Sequence, residues 1–252
     1  MDLIPINPGL VIFVLAALSL GGLFKGMTGL GLPMFAVPAL AVFMSVEEAV
    51  VLMIIPCLAA NVWMVVNHRQ FRSLLREHVP FLATGFVGGI AGTTLLIFLD
   101  DRWLKLILAT WLAVYLLQYF FAGNSLRIFR GYGGFAYLLG AGAGTIQGAT
   151  GISAQIIAPY YHGRSLQPAA YAFLVTFTFL LFGFAQTGTA FATDLFTAQR
   201  LELSLLATIP ALFFTRVGIR FADRVSQQAF NTILLVVFCL MEAKLVIDII
   251  WG

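Results

Sequence analysis

One stretch of the chain sets a lysine and a threonine among glycines inside an otherwise apolar run. Residues 22–33 read GLFKGMTGLGLP, with Lys25 and Thr28 as the polar members. A lysine inside a bilayer costs about 3 kcal/mol or more, so it faces a partner or a polar path. No acidic residue lies near Lys25 in the sequence. A cation beside neutral donors and exposed backbone amides is the chemistry of a site for a small oxyanion.

The same pattern returns 122 residues later, in a second stretch. Residues 144–153 read GTIQGATGIS, in which three glycines and the threonine recur while Gln147 stands at the position of Lys25. Self-similarity at a fixed offset indicates an internal repeat. We therefore predict a single membrane domain over residues 1–252, made of one repeat over about 1–122 and a second over about 123–252.

Glycines followed by Pro33 prevent a continuous helix through the first stretch. Unpaired backbone groups in hydrocarbon cost several kcal/mol, so such a break survives only inside protein or beside a water-filled cavity. Transporters with inverted repeats use paired breaks of this kind near the bilayer midplane, where half-helix ends hold an anion. The substrate-binding residues that we predict are Lys25, Gly26, Thr28, Gly29, Gly31, Asn61, Gln147, Gly148, Thr150, Gly151 and Ser153.

Each of these residue types also has a purely structural interpretation. The Gly-x-x-x-Gly spacings at 22/26, 85/89 and 140/144/148 are typical of helices that pack closely in lipid. Lys25 could snorkel to an interface, and the threonines could bond back to carbonyl groups of their own helices. Asn61 could form a hydrogen bond between helices. The combination at two matched positions favours the binding site.

The composition of the chain indicates what kind of helices position these residues. Of 252 residues, 61% are hydrophobic and 10% charged, and the mean hydropathy is +0.98. Soluble domains carry about 25% charged residues, so this composition predicts an all-α polytopic membrane protein. The net charge of +3 is too small to indicate a nucleic-acid partner. The long apolar runs cover about 8–27, 47–67, 79–99, 103–122, 133–150, 168–191, 202–220 and 228–250, and two short ones cover about 32–44 and 152–161.

The distribution of positive charges distinguishes two arrangements of the short segments. If both segments cross the membrane, most arginines, including Arg69, Arg164 and Arg216, fall on one side. If both are re-entrant, Arg164 and Arg216 move to the other side and the asymmetry disappears. The positive-inside rule favours the crossing arrangement. We predict two inverted five-segment repeats, with about eight long transmembrane helices, two short or broken ones, and both termini outside the cell inner membrane.

The residues of the first stretch resemble a known family. The pattern G-x-x-x-G-x-x-G-x-G-x-P, the AVPAL after it and the SVEEA that starts the next helix are similar to the sulfite exporter TauE/SafE family, most specifically over residues 21–63 and more loosely over 140–190. The resemblance implies an inner-membrane carrier of sulfur-containing or organic anions, with its substrate region at the two glycine stretches. The second copy departs from the first, with Ser153 and Gln155 where the first has Gly31 and Pro33.

The function that we predict is export of a small sulfur-containing oxyanion, such as sulfite or sulfoacetate, by alternating access. The membrane potential could drive it, since the broken stretches contain no carboxylate for a proton relay. Proton-coupled uptake of such anions stays open, as do a membrane-embedded enzyme and a redox carrier. Neither a Cys-x-x-Cys motif nor a metal-ligand spacing supports the last two, so we expect no enzyme activity, cofactor or metal. The expected partners are the anion and the lipid bilayer, with a homodimer left open.

Overall fold

The chain folds into α-helices. The computed structural model describes residues 8–29, 31–121, 135–162, 164, 166–222 and 227–251, and no strand occurs in these ranges. A 3-10 segment, Arg69–His78, joins the third helix to the fourth. The helices are α1 (Pro8–Thr28), α2 (Pro33–Ala41), α3 (Val46–Asn67), α4 (Val79–Phe98), α5 (Asp101–Phe121), α6 (Ala136–Thr150), α7 (Ala154–His162), α8 (Pro168–Ala192), α9 (Ala198–Phe221) and α10 (Gln227–Trp251).

Within the residues that the structure describes, five stretches are long and apolar enough to cross a membrane, which agrees with a multi-pass membrane protein. They are Pro8–Thr28, Val46–Asn67, Arg69–Phe98, Pro168–Ala192 and Ala198–Phe221. The all-α class is confirmed, whereas the number of eight long spans stays a prediction. Helix α6 has only 15 residues. The predicted boundary between the repeats, at residues 122 and 123, lies outside the described residues.

Helix starts follow the local sequence. Ser45 caps α3, because its hydroxyl accepts the backbone N–H of Glu48 at 3.2 Å. Thr197 caps α9 in the same way, through the N–H of Arg200. Pro168 is the first residue of α8, where its missing N–H leaves no intrahelical bond unmade. The sequence thus specifies where these three long helices begin.

Helices α1 and α2 form a hairpin. A Cβ at Gly21 would lie 3.1 Å from the Cβ of Ala36, and the rings of Phe13 and Phe43 lie 4.6 Å apart. The chain therefore runs back along α1 and reaches the end of the bundle where α1 began. Nine helical residues span only about 14 Å, less than half of a hydrocarbon core. The break between α1 and α2 thus lies deep inside the bundle.

Helices α6 and α7 form a second hairpin, which opens at the start of α4. Gly140 of α6 packs against the backbone of Phe81, and the ring of Tyr160 in α7 stacks on Phe81 at 3.9 Å. The start of α4 follows the end of α3, whereas the α1–α2 hairpin opens where α3 begins. The two hairpins therefore enter the bundle from opposite ends.

Each hairpin packs against a helix from the other half of the chain. Gly22 and Gly26 of α1 lie against the backbone of α9 at Ala211 and Thr215. The equivalent glycines of α6, at positions 144 and 148, lie against the backbone of α4 at positions 85 and 89. Each hairpin thus packs against a helix from the other half of the chain, while the inverted repeat itself stays a prediction.

Candidate functional site

The two breaks share one backbone geometry. Helix α1 ends before Gly29, whose φ is +70°, and α6 ends before Gly151, whose φ is +73°. The Gly29 N–H donates to Lys25 O at 2.8 Å, and the Gly151 N–H donates to Gln147 O at 2.7 Å. Only glycine adopts this left-handed conformation without strain, so both helices end at a residue that the sequence specifies.

The two breaks also lie next to each other. A Cβ at Gly151 would lie 3.1 Å from the Cβ of Pro33, the first residue of α2, and 2.6 Å from the Cε of Met53. A Cβ at Gly31, in the first break, would lie 4.0 Å from Phe179 of α8. The tips of the two hairpins therefore meet within the bundle, beside α3 and α8.

Lys25 lies at this junction with its whole side chain buried. Its exposed fraction is 0%. The ammonium donates to Asn61 Oδ1 of α3 at 2.6 Å and lies 5.9 Å from the ring centre of Phe179. A snorkelling lysine would extend to an interface, so that alternative is wrong. Among the described residues, α1, α3 and α8 thus surround the cation, and Asn61 of α3 accepts its hydrogen bond.

No carboxylate pairs with Lys25 among the residues that the structure describes. The ion pairs found there join Lys105 to Asp101, Arg200 to Glu47 and Glu48, and Lys244 to Asp248. A buried charge without an opposite charge is unfavourable by several kcal/mol. A neutral amide and an aromatic face offset part of this penalty. An anion bound near the ammonium would remove most of the remainder.

The second break is held by amides. Gln147 is 1% exposed, and its Oε1 accepts the hydroxyl of Ser153 at 2.6 Å. Gln186 of α8 donates from Nε2 to the carbonyls of Gln147 and Gly148, at 3.3 and 3.2 Å. Gln186 thereby occupies two carbonyl groups at the C-terminal end of α6. The side chains that the structure describes in these contacts are hydrogen-bonding but neutral.

Helix α8 passes both Lys25 at the first break and Gln147 at the second. Phe179 lies beside Lys25, and Gln186 lies beside Gln147. Seven residues, or two helical turns, separate these positions on α8, a rise of about 10 Å. The lysine and the glutamine at matched repeat positions are therefore neighbours in one region rather than one side-chain cluster.

Several predicted site residues have structural roles. Gly26 and Gly148 pack against backbone of α9 and α4, as the packing interpretation predicts. Thr28 and Thr150 donate to carbonyl groups of their own helices, at 2.9 and 2.8 Å. Asn61 forms the hydrogen bond between helices that the sequence left open, and it does so with Lys25.

The sequence analysis missed three residues of this region. Phe179 and Gln186 belong to α8, outside the repeated stretches, and Thr176 lies one turn from Phe179. Thr176 Oγ1 is buried and has no hydrogen-bond partner in the described part of the chain. A glutamine within an apolar helix is a usable signal, since polar side chains in spans are seldom without a partner. The aromatic residue carried no signal among so many phenylalanines.

Comparison with known proteins identifies the family. The model of the family described as sulfite exporter TauE/SafE matches residues 13–245, almost the whole chain. The chain belongs to the TauE/SafE family. No curated protein and no solved structure matches it. For this TauE/SafE protein, the family indicates a membrane transporter of sulfite or related sulfur anions, and its several apolar helices agree with that setting.

Proposed function

We propose that this protein exports a small sulfur-containing oxyanion, such as sulfite or sulfoacetate, across the cell inner membrane. The observation that carries the proposal is the fully buried ammonium of Lys25, which has no carboxylate partner among the described residues. An oxyanion provides the missing charge and several strong acceptors. The family match supports the same class of substrate.

The orientation of nearby amides favours an acceptor ligand. Lys25 occupies the oxygen of Asn61, and Ser153 occupies the oxygen of Gln147. The NH2 groups of these two amides can only donate, so they are the ends that face other groups. Asn61 Nδ2 lies 3.4 Å from the Sγ of Cys57, a weak acceptor. The region is therefore rich in donors, which suits an anion and disfavours a cation.

The two hairpins supply a route to alternating access. Because they enter from opposite ends and meet at Gly151 and Pro33, movement of one half against the other would open the junction to each side in turn. Export of a monoanion from an interior-negative cell gains about 2.3 kcal/mol per 100 mV, and a dianion gains about twice that. In this proposal the potential alone drives export, and both termini lie outside the cell.

Flux measurements in proteoliposomes test the proposal. We expect labelled sulfite to move toward the positive side when a potassium-diffusion potential is imposed, at a rate that rises with the potential. The Lys25→Met variant should insert normally and lose this flux, because its site lacks the cation. Lys105→Met is the matched control, since Lys105 is a partly exposed lysine of α5 that pairs with Asp101. Flux indifferent to voltage, or equal in Lys25→Met and wild type, would refute the proposal.

Proton-coupled uptake is a second candidate, and one residue favours it. Glu242 lies in α10, and its Oε2 atom is buried with no hydrogen-bond partner in the described ranges. Phe238, one turn earlier, packs edge-on to Phe24 at 6.3 Å, next to Lys25. A carboxyl group at membrane depth is a usual proton carrier. Under this alternative a pH gradient drives flux, and Glu242→Gln abolishes the pH dependence; voltage-driven flux unchanged in Glu242→Gln would exclude it.

A further inference from the structure

The side-chain amide of Gln155 is held in one orientation by a tryptophan. Trp111 of α5 donates from Nε1 to Gln155 Oε1 at 3.0 Å. An indole N–H can only donate, so the amide atom facing it is the oxygen. The other end of the Gln155 side chain is therefore the NH2 group, which carries two donors.

This NH2 group is buried and lacks an acceptor. Gln155 is 6% exposed, and its Nε2 atom has no hydrogen-bond partner in the part of the chain that the structure describes. Leaving a buried donor unpaired is unfavourable, and buried polar groups of native proteins are nearly always paired. In a protein of an anion-exporter family, the substrate is a natural source of the acceptor.

Gln155 stands at the second break. It is the second residue of α7, which begins directly after that break. Ser153, two residues earlier, donates to the buried Gln147 side chain. The first turn of a helix also presents backbone N–H groups and the positive end of the helix dipole. The NH2 group and the helix end thus provide donors in the same region.

The first repeat has no counterpart of this donor. The offset of 122 sets Gln155 against Pro33, whose ring nitrogen carries no hydrogen. Pro33 itself lies against Gly151 of the second break. The chain thus has a cation at the break of the first repeat and an unpaired amide donor at the break of the second.

We propose that Gln155 is a specificity-determining residue that donates from Nε2 to an oxygen of the transported oxyanion. Trp111 is its positioning residue, which keeps the amide from turning its oxygen toward the substrate. The inference rests on the proposed function and adds a substrate contact from the repeat that lacks the lysine. A ligand recognised in this way presents acceptor oxygens, as sulfite and sulfonates do.

Titration of the purified protein with sodium sulfite, with thermal unfolding as the readout, tests this inference. We expect Gln155→Glu to weaken sulfite binding about 30-fold or more, because it replaces the donor with a negative acceptor. Gln155→Met, which keeps the size and removes the donor, should weaken it about tenfold. The exposed Gln70 provides the control Gln70→Glu, which should bind sulfite as wild type does.

The positioning role has its own readout. Trp111→Phe should weaken binding about fivefold in the wild type and have no further effect in Gln155→Met, because two residues that act as a unit are not additive. Trp103→Phe, at an exposed tryptophan, is the matched control. An equal loss from Trp111→Phe in both backgrounds would remove the positioning role, since a merely structural residue would act in both.

The outcomes separate this inference from the proposed function. Sulfite binding within twofold of wild type in both Gln155 variants, together with lost binding in Lys25→Met, would overturn the role of Gln155 alone. A wild type that sulfite does not stabilise at any concentration would overturn both proposals. If Gln155→Glu fails to fold, sulfite binding by Gln155→Met still tests the role of Gln155.

Discussion

The two breaks have the same backbone but different side chains. Both end a helix at a glycine with positive φ, and the two glycines are 122 positions apart. The first carries a buried ammonium that one amide contacts, whereas the second carries a glutamine held by Ser153 and Gln186. The two breaks therefore share their backbone geometry, whereas only the first carries a charged side chain among the described residues. The comparison indicates that equal backbone geometry does not fix the charge of a break, and the proposed site uses the cation of the first.

The largest expected effect comes from making the two breaks alike. Lys25→Gln should weaken sulfite binding about 100-fold, because it removes a charged hydrogen bond and the cation that the described residues place at the junction. Adding Gln147→Lys to that variant should not restore binding. Gln147 lies beside Gln186, which is about 10 Å along α8 from Phe179, so a lysine at position 147 would not take the place of Lys25 beside Phe179. Titration with sulfite measures both. Full recovery in the double variant would contradict the difference between the breaks.

A smaller effect should distinguish the two glycines. Gly29→Ala should lower the free energy of unfolding by about 1 kcal/mol, because alanine is strained in the left-handed conformation. Gly151→Ala should lower it by about 3 kcal/mol, since its Cβ would also crowd Pro33 and Met53. Unfolding in detergent measures both values.

The control for this pair is Gly142→Ala. A Cβ there would meet open space within helix α6, so we expect no loss and a gain of up to about 1 kcal/mol. Equal losses at positions 29 and 151 would mean that the tips of the hairpins are not in contact.

The smallest effect belongs to a residue that only orients another. Ser153→Ala removes one hydrogen bond to Gln147, so the free energy of unfolding should fall by about 1 kcal/mol. The affinity for sulfite should fall about fivefold at most. Ser73→Ala, at an exposed serine of the 3-10 segment, should change neither quantity. If Ser153→Ala lowered sulfite affinity as much as Lys25→Gln does, the second break would carry the main interaction with the anion.

Much of the fold was predictable from sequence. The apolar runs match the observed helices within a few residues over the described ranges, as at Pro168–Ala192 against the predicted 168–191. The short segments, the break positions and the Ser45 cap were also predicted correctly. Helix α6 ends at Thr150 as predicted but starts at Ala136 against the predicted 133, because a continuous run of apolar residues does not mark where a helix starts.

The candidate site was predicted less completely. Lys25 and Asn61 were both named, but their contact was not, since 36 positions separate them. Phe179, Gln186 and the Trp111–Gln155 pair come from helices whose relative register depends on packing. The close packing of Gly26 and Gly148 was an open alternative that only the positions of α9 and α4 decided.

The sequence by itself determined where the chain must leave the helix and that most of it must lie in lipid. These properties are local, because they follow from the freedom of glycine, the missing N–H of proline and the hydropathy of each run. Only the tertiary structure decided that the two breaks touch, and that Lys25 has an amide and an aromatic ring around it. Such neighbours come from distant segments, and their contacts depend on how whole helices pack.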